Sequence, residues 1–160
     1  MSSANMDFEA KFLESVGKPL HKNVSLREFS HFRIGGKADY FFEATSTSEL
    51  SETICLARDF QIPFYVIGGG YNMLFSDQGY RGLILKNSVQ GISKLQDAEI
   101  EVYSGTSLQK VLNFCTENNL SGLEFMAGIP GTVGGAVFGN AGAFKQNIGE
   151  CLKRAVILDS

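Results

Sequence analysis

The sequence predicts a mixed α+β fold built from two small subdomains. Amphipathic helical stretches alternate with short apolar strands, but their spacing does not repeat as regular βαβ units. Two glycine-rich stretches interrupt this pattern, one at Gly68–Gly70 and one from Gly128 to Gly142. The chain has 160 residues, of which 44% are hydrophobic and 19% are charged. This length and this hydrophobic share are enough for a buried core. We place the boundary after residue 70, giving subdomains 1–70 and 71–160.

The first subdomain is predicted to open with a helix that Asp7 caps and Gly17 ends. Aromatic residues predict a strand at Ala38–Ala44. Ser46 and Glu49 have the spacing of a capping box and so predict the start of a second helix. Hydrophobic residues recur at helical spacing on both helices and mark their inner faces: Phe8, Phe12, Leu13 and Val16 on the first, and Leu50, Ile54 and Ala57 on the second.

A third helix is predicted to open at Thr106 and Gln109 and to close at Asn118 and Asn119. Its inner face carries Leu108, Val111, Leu112 and Cys115. Further strands are predicted at Phe64–Ile67, Leu83–Leu85, Glu99–Tyr103 and Lys153–Asp159, with Leu83–Leu85 buried on both faces. Because a strand at a chain end needs a neighbouring strand, we expect the second subdomain to be truncated.

Composition excludes several classes of protein. The formal net charge is −3 and Lys and Arg form no run, which argues against a nucleic-acid partner. No apolar stretch approaches the roughly 18–20 residues that span a bilayer, and the N-terminus lacks a signal-peptide pattern. The cysteines Cys55, Cys115 and Cys151 are odd in number and widely spaced. They predict reduced thiols in a cytoplasmic protein and no metal site.

The first glycine stretch matches neither common phosphate-binding motif. A Walker loop needs Lys and Ser or Thr after its glycines, whereas Tyr71 and Asn72 follow here. The dinucleotide fingerprint needs a third glycine where Met73 stands. Successive amides in a tight turn can still form an anion nest that suits a pyrophosphate. The alternative is a plain strand-to-loop turn, and both interpretations stay open.

The second stretch offers a surface that is nearly free of side chains. Proline fixes the entry angle in Ile129-Pro130-Gly131, and four glycines follow at Gly134, Gly135, Gly139 and Gly142. Such a surface suits a flat ligand. The alternative is that the glycines allow close packing of neighbouring elements.

Three blocks together resemble the UDP-N-acetylenolpyruvoylglucosamine reductases, also called UDP-N-acetylmuramate dehydrogenases. They are Phe32–Asp39, Val66–Asp77, and Gly122–Ala136 continuing to Asn140–Ala143. Their order and spacing match the family from about residue 20 onward.

The resemblance implies an FAD-binding domain of the vanillyl-alcohol oxidase or PCMH type. It implies FAD as cofactor, NADPH as co-substrate and a UDP-sugar substrate in the complete enzyme. The reaction would be the cytoplasmic reduction of UDP-N-acetylenolpyruvoylglucosamine to UDP-N-acetylmuramate in peptidoglycan precursor synthesis, which serves cell-wall biogenesis, cell shape and cell division. The alternatives are a PCMH-type flavin oxidase acting on another small molecule, or a non-catalytic flavin-binding fragment.

The resemblance also implies site residues. The FAD pyrophosphate would lie on Gly68, Gly69, Gly70, Tyr71, Asn72 and Met73. The rest of the cofactor would lie against Ile129, Pro130, Gly131, Thr132, Gly134, Gly135, Phe138, Asn140 and Gly142. Phe144 would face the substrate, where the family commonly has tyrosine, and Tyr71 replaces a common serine.

No catalytic residue is expected within this chain. The family's catalytic arginine, serine and glutamate, and its substrate domain, correspond to segments beyond residue 160, so the chain alone is expected to be inactive. His21 and His31 lie outside the glycine stretches, which disfavours a covalent histidyl-flavin. Arg33 precedes a Gly-Gly pair and would meet either a phosphate or a buried carboxylate.

Overall fold

A computed structural model describes residues 3–158 of the chain, with side chains described from residue 6. These residues form two compact units, which divide between Ser88 and Val89.

The first unit is a four-stranded sheet with two helices against one face. The helices are α1 (Ser3–Val16) and α2 (Thr47–Asp59), and the strands are β1 (His21–Ser25), β2 (Lys37–Ala44), β3 (Phe64–Ile67) and β4 (Tyr80–Asn87). The strand order is β1-β2-β4-β3; β1 is antiparallel to β2, whereas β2, β4 and β3 are mutually parallel. A short 3-10 turn at Leu26–Phe29 follows β1 on the way to β2.

Helix α1 is longer than predicted. Asp7 lies within it and is not its N-cap, because the helix already begins at Ser3. Phe8 and Phe12 are fully buried against the sheet, but Leu13 is 52% exposed, so its predicted place on the inner face is wrong. Gly17 ends the helix as predicted, with a left-handed φ of +73° and its N–H donating to the carbonyl of Leu13.

Helix α2 begins as its capping pattern predicts. The N–H of Glu49 donates to the Ser46 hydroxyl, while the Glu49 carboxylate accepts from the N–H of Thr45 rather than from that of Ser46. The predicted strands Ala38–Ala44, Phe64–Ile67 and Leu83–Leu85 are confirmed. One hydrophobic cluster, which includes Phe8, Phe12, Phe42, Leu83 and Leu85, fills the helix side of the sheet. A second cluster, which includes Leu26, Phe41, Ile67 and Ile84, fills the opposite side.

The division between the units falls later than the boundary that we placed after residue 70. Strand β4 follows the first glycine stretch, yet it pairs with both β2 and β3 in the centre of the sheet. Residues up to Ser88 therefore fold with the first unit. A loop rich in glycine suggested a seam, but here it is a connection within one sheet.

The second unit consists of short elements around a small core. Leu108, Phe125, Met126, Ala136 and Ile148 form that core. Its helices are α3 (Leu108–Glu117), α4 (Val133–Phe138) and α5 (Ile148–Cys151), with a 3-10 turn at Glu124–Met126; its strands pair as the antiparallel hairpins β5 (Ile92–Lys94) with β6 (Ile100–Val102) and β7 (Gly142–Ala143) with β8 (Gln146–Asn147).

The start of α3 differs from the prediction by one residue. Ser107 is the N-cap, because its hydroxyl accepts from the N–H of Lys110. Thr106 is buried instead, and its hydroxyl exchanges hydrogen bonds with the backbone of Gly91. The predicted closure at Asn118 is confirmed.

The glycine-rich stretch from Gly128 to Gly142 contains helix α4. One further prediction for the second unit is wrong. Lys153 to Leu158 form no strand, and Asp159 lies outside the described residues. No strand described in residues 3–158 pairs with this segment, and its Val156 and Ile157 side chains are exposed.

Within residues 3–158, no helix has both the length and the apolar character needed to cross a bilayer.

Candidate functional site

The first glycine stretch lies at the edge of the sheet where the parallel strands end. Strands β2, β3 and β4 run in one direction, so their carboxyl ends share that edge, and Gly68 directly follows β3. In open sheets with parallel strands, ligands bind at this edge. The fold therefore places the predicted pyrophosphate loop where ligand binding is favoured.

Gly70 has to be glycine for two structural reasons. Its φ is +72°, a region that L-residues rarely adopt. A Cβ on Gly70 would lie 2.9 Å from the carbonyl carbon of Phe29 and closer still to its oxygen. The loop is thus pressed against the end of the 3-10 turn Leu26–Phe29.

Two hydrogen bonds hold the loop on this turn. The N–H of His31 donates to the carbonyl of Gly70 at 3.0 Å. The hydroxyl of Ser30, a buried residue, donates to the carbonyl of Met73, also at 3.0 Å. The ring of Tyr71 lies 5.4 Å from that of His31. These contacts use the carbonyl groups of the loop and leave its amides available.

The amides of this loop lack hydrogen-bond acceptors among the described residues. The N–H groups of Gly69, Gly70, Tyr71 and Asn72 donate no hydrogen bond to any residue from 3 to 158. Gly70 is itself buried, whereas Gly69, Tyr71 and Asn72 are exposed. Adjacent unpaired amides in a tight turn can form an anion nest. The loop is therefore compatible with the predicted pyrophosphate site.

The second glycine stretch does not have such a nest at the start of α4. The N–H groups of Val133, Gly134 and Gly135 donate to the carbonyl of Thr106, the carbonyl of Ser104 and the hydroxyl of Thr132. A Cβ on Gly134 would lie 2.9 Å from that of Ser104, so this glycine serves close packing.

Other glycines of the second stretch face open space. Gly128 and Gly131 have φ values of +82° and +134°, and a Cβ on either would meet nothing within 4 Å. Between them Ile129 packs on the core, and Pro130 is exposed. The predicted side-chain-free surface is therefore limited to this turn, where a planar group can approach the backbone.

The remaining predicted site residues lie at the other end of α4. The Asn140 side-chain oxygen accepts from the N–H of Gly149, which gives Asn140 a structural role. Gly142 has no room for a side chain, because a Cβ would clash with Asn147 across the β7–β8 hairpin. Phe138 and Phe144 are 91% and 86% exposed. Two large exposed aromatic rings are therefore available for a ligand of the second unit.

A cleft of about 470 Å³ in the first unit is lined by Arg27, Glu28, Ser30 and Arg33. No carboxylate of residues 3–158 forms an ion pair with Arg33. The structure therefore does not support a buried carboxylate as its partner. The sequence did not indicate Arg27, because a single arginine next to Leu26 looks the same as a solvated surface residue.

Charge at the carboxyl edge of the sheet is mostly balanced. Burial raises the pKa of Glu43, but hydrogen bonds from Lys86 at 2.8 Å and Ser88 at 2.5 Å outweigh burial and lower it overall. Glu43 is thus ionised at neutral pH and paired with Lys86.

The thiol of Cys115, in the second unit, is not suited to catalysis. Burial raises the pKa of the Cys115 thiol, which argues against a reactive thiolate there.

Comparison with known proteins gives the family. The family described as FAD binding domain matches residues 38–159. UDP-N-acetylenolpyruvoylglucosamine reductase of Chlamydia trachomatis serovar A is 45% identical over 140 residues, which are 88% of this chain and 48% of that protein. The enzyme of Caldicellulosiruptor bescii is 42% identical over 154 residues, or 96% of this chain and 49% of that protein. The chain thus spans about half the length of these curated relatives.

Comparison with solved structures supports the same family and shows the fold. UDP-N-acetylenolpyruvylglucosamine reductase from Thermus caldophilus matches with a TM-score of 0.65 and 29% identity over 81% of this chain and 45% of that one. Alkyldihydroxyacetonephosphate synthase matches with a TM-score of 0.54 over 81% of this chain and 27% of that one. p-Cresol methylhydroxylase matches with a TM-score of 0.51 over 75% of this chain and 26% of that one. The last two are 16% identical and show the fold alone. The chain therefore belongs to the FAD-binding domain family, has the PCMH-type α+β fold, and corresponds to the FAD-binding portion of the UDP-N-acetylenolpyruvoylglucosamine reductases.

Proposed function

We propose that this chain is the flavin-binding part of an enzyme that reduces UDP-N-acetylenolpyruvoylglucosamine to UDP-N-acetylmuramate at the expense of NADPH. The observation that carries the proposal is the anion nest at Gly69–Asn72 in a chain homologous to such reductases. In a cytoplasmic enzyme of this kind, FAD supplies the hydride-transfer chemistry. The chain's own contribution is to bind and orient the cofactor.

The first unit would hold the diphosphate. The amides of Gly69, Gly70, Tyr71 and Asn72 have no acceptor within residues 3–158. They suit a group that accepts several hydrogen bonds at once, as phosphate oxygens do. Gly68 and Met73 complete the loop on either side. The hydrogen bonds from Ser30 and His31 fix the loop before the cofactor arrives, so that binding orders little further backbone.

The second unit would contact the planar parts of FAD. The turn Ile129-Pro130-Gly131, with Thr132 after it, leaves its backbone open for a ring to lie against. Gly134 and Gly135 would support this turn from within α4. The exposed ring of Phe138 is suited to stack on a flavin, and Phe144 would face the UDP-sugar.

The test of flavin binding is direct. We expect the purified chain to carry FAD, or to take it up on reconstitution, with a visible flavin absorption spectrum and quenched flavin fluorescence. Folded protein that neither carries nor takes up FAD would contradict the proposal. Riboflavin is the matched control ligand, because it has the isoalloxazine ring without the diphosphate.

The test of activity separates this proposal from the two alternatives. With FAD bound, we expect residues 1–160 alone to show no NADPH oxidation that depends on UDP-N-acetylenolpyruvoylglucosamine. The same chain joined to the other half of one of its full-length relatives should show it. A flavin that is instead reduced by an unrelated small molecule would favour an oxidase.

A further inference from the structure

We propose that the cleft between Arg27 and Arg33 is a second phosphate site, which binds a phosphate group of a nucleotide beside the glycine loop. The inference rests on the proposed function only for the identity of that nucleotide. The phosphate is either one of the two phosphates of FAD, with the other on the glycine loop, or a phosphate of NADPH, and the experiment below distinguishes these sources.

The cleft has the size and the charge for an anion. Its volume of about 470 Å³ accommodates a phosphoryl group with its neighbouring atoms. Its lining residues include Arg27, Arg33 and one acidic residue, Glu28, so their formal charges sum to one net positive charge. Guanidinium groups bind phosphate through two parallel hydrogen bonds, which makes arginine suited to this role.

Neither arginine has a partner elsewhere in the described chain. Within residues 3–158, no carboxylate forms an ion pair with Arg27 or Arg33, and neither guanidinium donates a hydrogen bond. Other cations of the first unit are already paired: Lys86 with Glu43, and Arg81 with Asp39. The two arginines therefore remain available for a ligand.

The backbone holds Arg33 in place at a conformational cost. Its φ is +54°, which is uncommon for a residue other than glycine. The N–H of Arg33 donates to the carbonyl of Ser30 at 3.0 Å and closes a turn at the cleft. A non-glycine residue in this conformation, lining a cleft, is consistent with a binding function.

The same turn touches the glycine loop, which links the cleft to the anion nest. Ser30 lines the cleft and also donates to the carbonyl of Met73. The N–H of His31 donates to the carbonyl of Gly70, and the Phe29 carbonyl lies against the position where a Gly70 side chain would begin. A ligand in the nest and a phosphate in the cleft would thus be held by one connected piece of backbone.

The experiment compares Arg27→Gln and Arg33→Gln with Arg154→Gln, an equal change of charge at an exposed position in the second unit. Binding of inorganic pyrophosphate, FAD, riboflavin and NADPH to the full chain is measured by calorimetry and flavin fluorescence. Urea unfolding verifies that all variants fold as the parent does.

We expect each cleft variant to bind pyrophosphate about tenfold more weakly than the parent, as the loss of a hydrogen bond to a charged group predicts. If the phosphate belongs to FAD, FAD affinity falls equally while riboflavin affinity stays unchanged. If it belongs to NADPH, NADPH affinity falls and FAD affinity is retained.

Pyrophosphate, FAD and NADPH affinities that are the same in the parent, both cleft variants and Arg154→Gln would overturn the inference. That result leaves FAD binding by the parent intact, so it differs from a failure of the proposed function. Conversely, a parent chain that binds pyrophosphate through the arginines but takes up no FAD would support the cleft and contradict the proposed function.

Discussion

Replacing Gly70 by alanine tests the packing that shapes the proposed anion nest. Gly70 and Gly17 have nearly the same φ, at +72° and +73°. A Cβ on Gly70 would lie 2.9 Å from the carbonyl carbon of Phe29, whereas a Cβ on Gly17 would meet nothing within 4 Å. Gly17→Ala is therefore a matched control that has the same conformational penalty without the clash.

The two substitutions should differ by the cost of the clash alone. Placing alanine in the left-handed region costs about 1–2 kcal/mol at either position. Relieving an overpacked contact costs about 1–3 kcal/mol more, and this cost applies only at Gly70. We expect Gly70→Ala to lower the free energy of unfolding by roughly 2–5 kcal/mol, and Gly17→Ala by about 1–2 kcal/mol.

The assay is urea unfolding followed by circular dichroism, together with FAD affinity from flavin fluorescence. Both positions lie in the first unit, so the same unfolding transition reports on them. We expect Gly70→Ala also to weaken FAD binding, because the loop must move away from Phe29, and Gly17→Ala to leave it unchanged. Equal losses of stability in the two variants, with equal FAD affinity, would refute this reasoning.

Three further predictions concern the first unit. Among the residues that the structure describes, the hydroxyl of Thr53 is buried and has no hydrogen-bond partner. Thr53→Val should therefore raise the free energy of unfolding by about 1 kcal/mol, and a lower urea midpoint would contradict this. Ser30→Ala removes the bond to the Met73 carbonyl and should cost about 1 kcal/mol and weaken FAD binding, whereas unchanged FAD affinity would show that the loop needs no such support. Burial, helped by a hydrogen bond to Glu9, raises the pKa of Tyr40 from 10.0 to about 12. Between pH 10 and 12 the folded state keeps the Tyr40 proton, whereas the unfolded chain loses it. The stabilisation that this difference contributes is therefore fully present below pH 10, and up to about 3 kcal/mol is lost as the pH rises from 10 to 12. Tyr40→Phe, measured across the same range, should lack this part of the pH dependence.

Local signals predicted the first unit well. The capping pattern at Ser46 and the spacing of Ile54 and Ala57 placed α2, because cap geometry and helix periodicity depend on neighbours along the chain. The continuous apolar run at Leu83–Leu85 placed a strand that is buried on both faces. What the sequence did not indicate was that this strand returns to the centre of the sheet, because parallel pairing joins residues far apart in the chain.

The second unit was predicted less well, because its glycines serve different purposes. Gly134 allows close approach to Ser104, and Gly142 to Asn147, whereas Gly131 faces open space. Composition cannot separate these cases, since the difference lies in what surrounds each residue. The same applies to Thr106 and Ser107, either of which could cap a helix until the buried bond from Thr106 to Gly91 assigns that role to Ser107.

The sequence indicated only one of the two arginines that line the cleft. Arg33 stood out because it precedes a Gly-Gly pair, but Arg27 belongs to a separate element, the 3-10 turn Leu26–Phe29. Their common cleft results from the way the chain turns between them.

The claim that backbone amides of the glycine loop bind the diphosphate of FAD is tested most directly by amide NMR of the ¹⁵N-labelled chain during titration with FAD and, separately, riboflavin. We expect the largest shifts on adding FAD at the amides of Gly69, Gly70, Tyr71 and Asn72, and little change there with riboflavin. FAD that binds while these four amides stay unshifted would contradict the account.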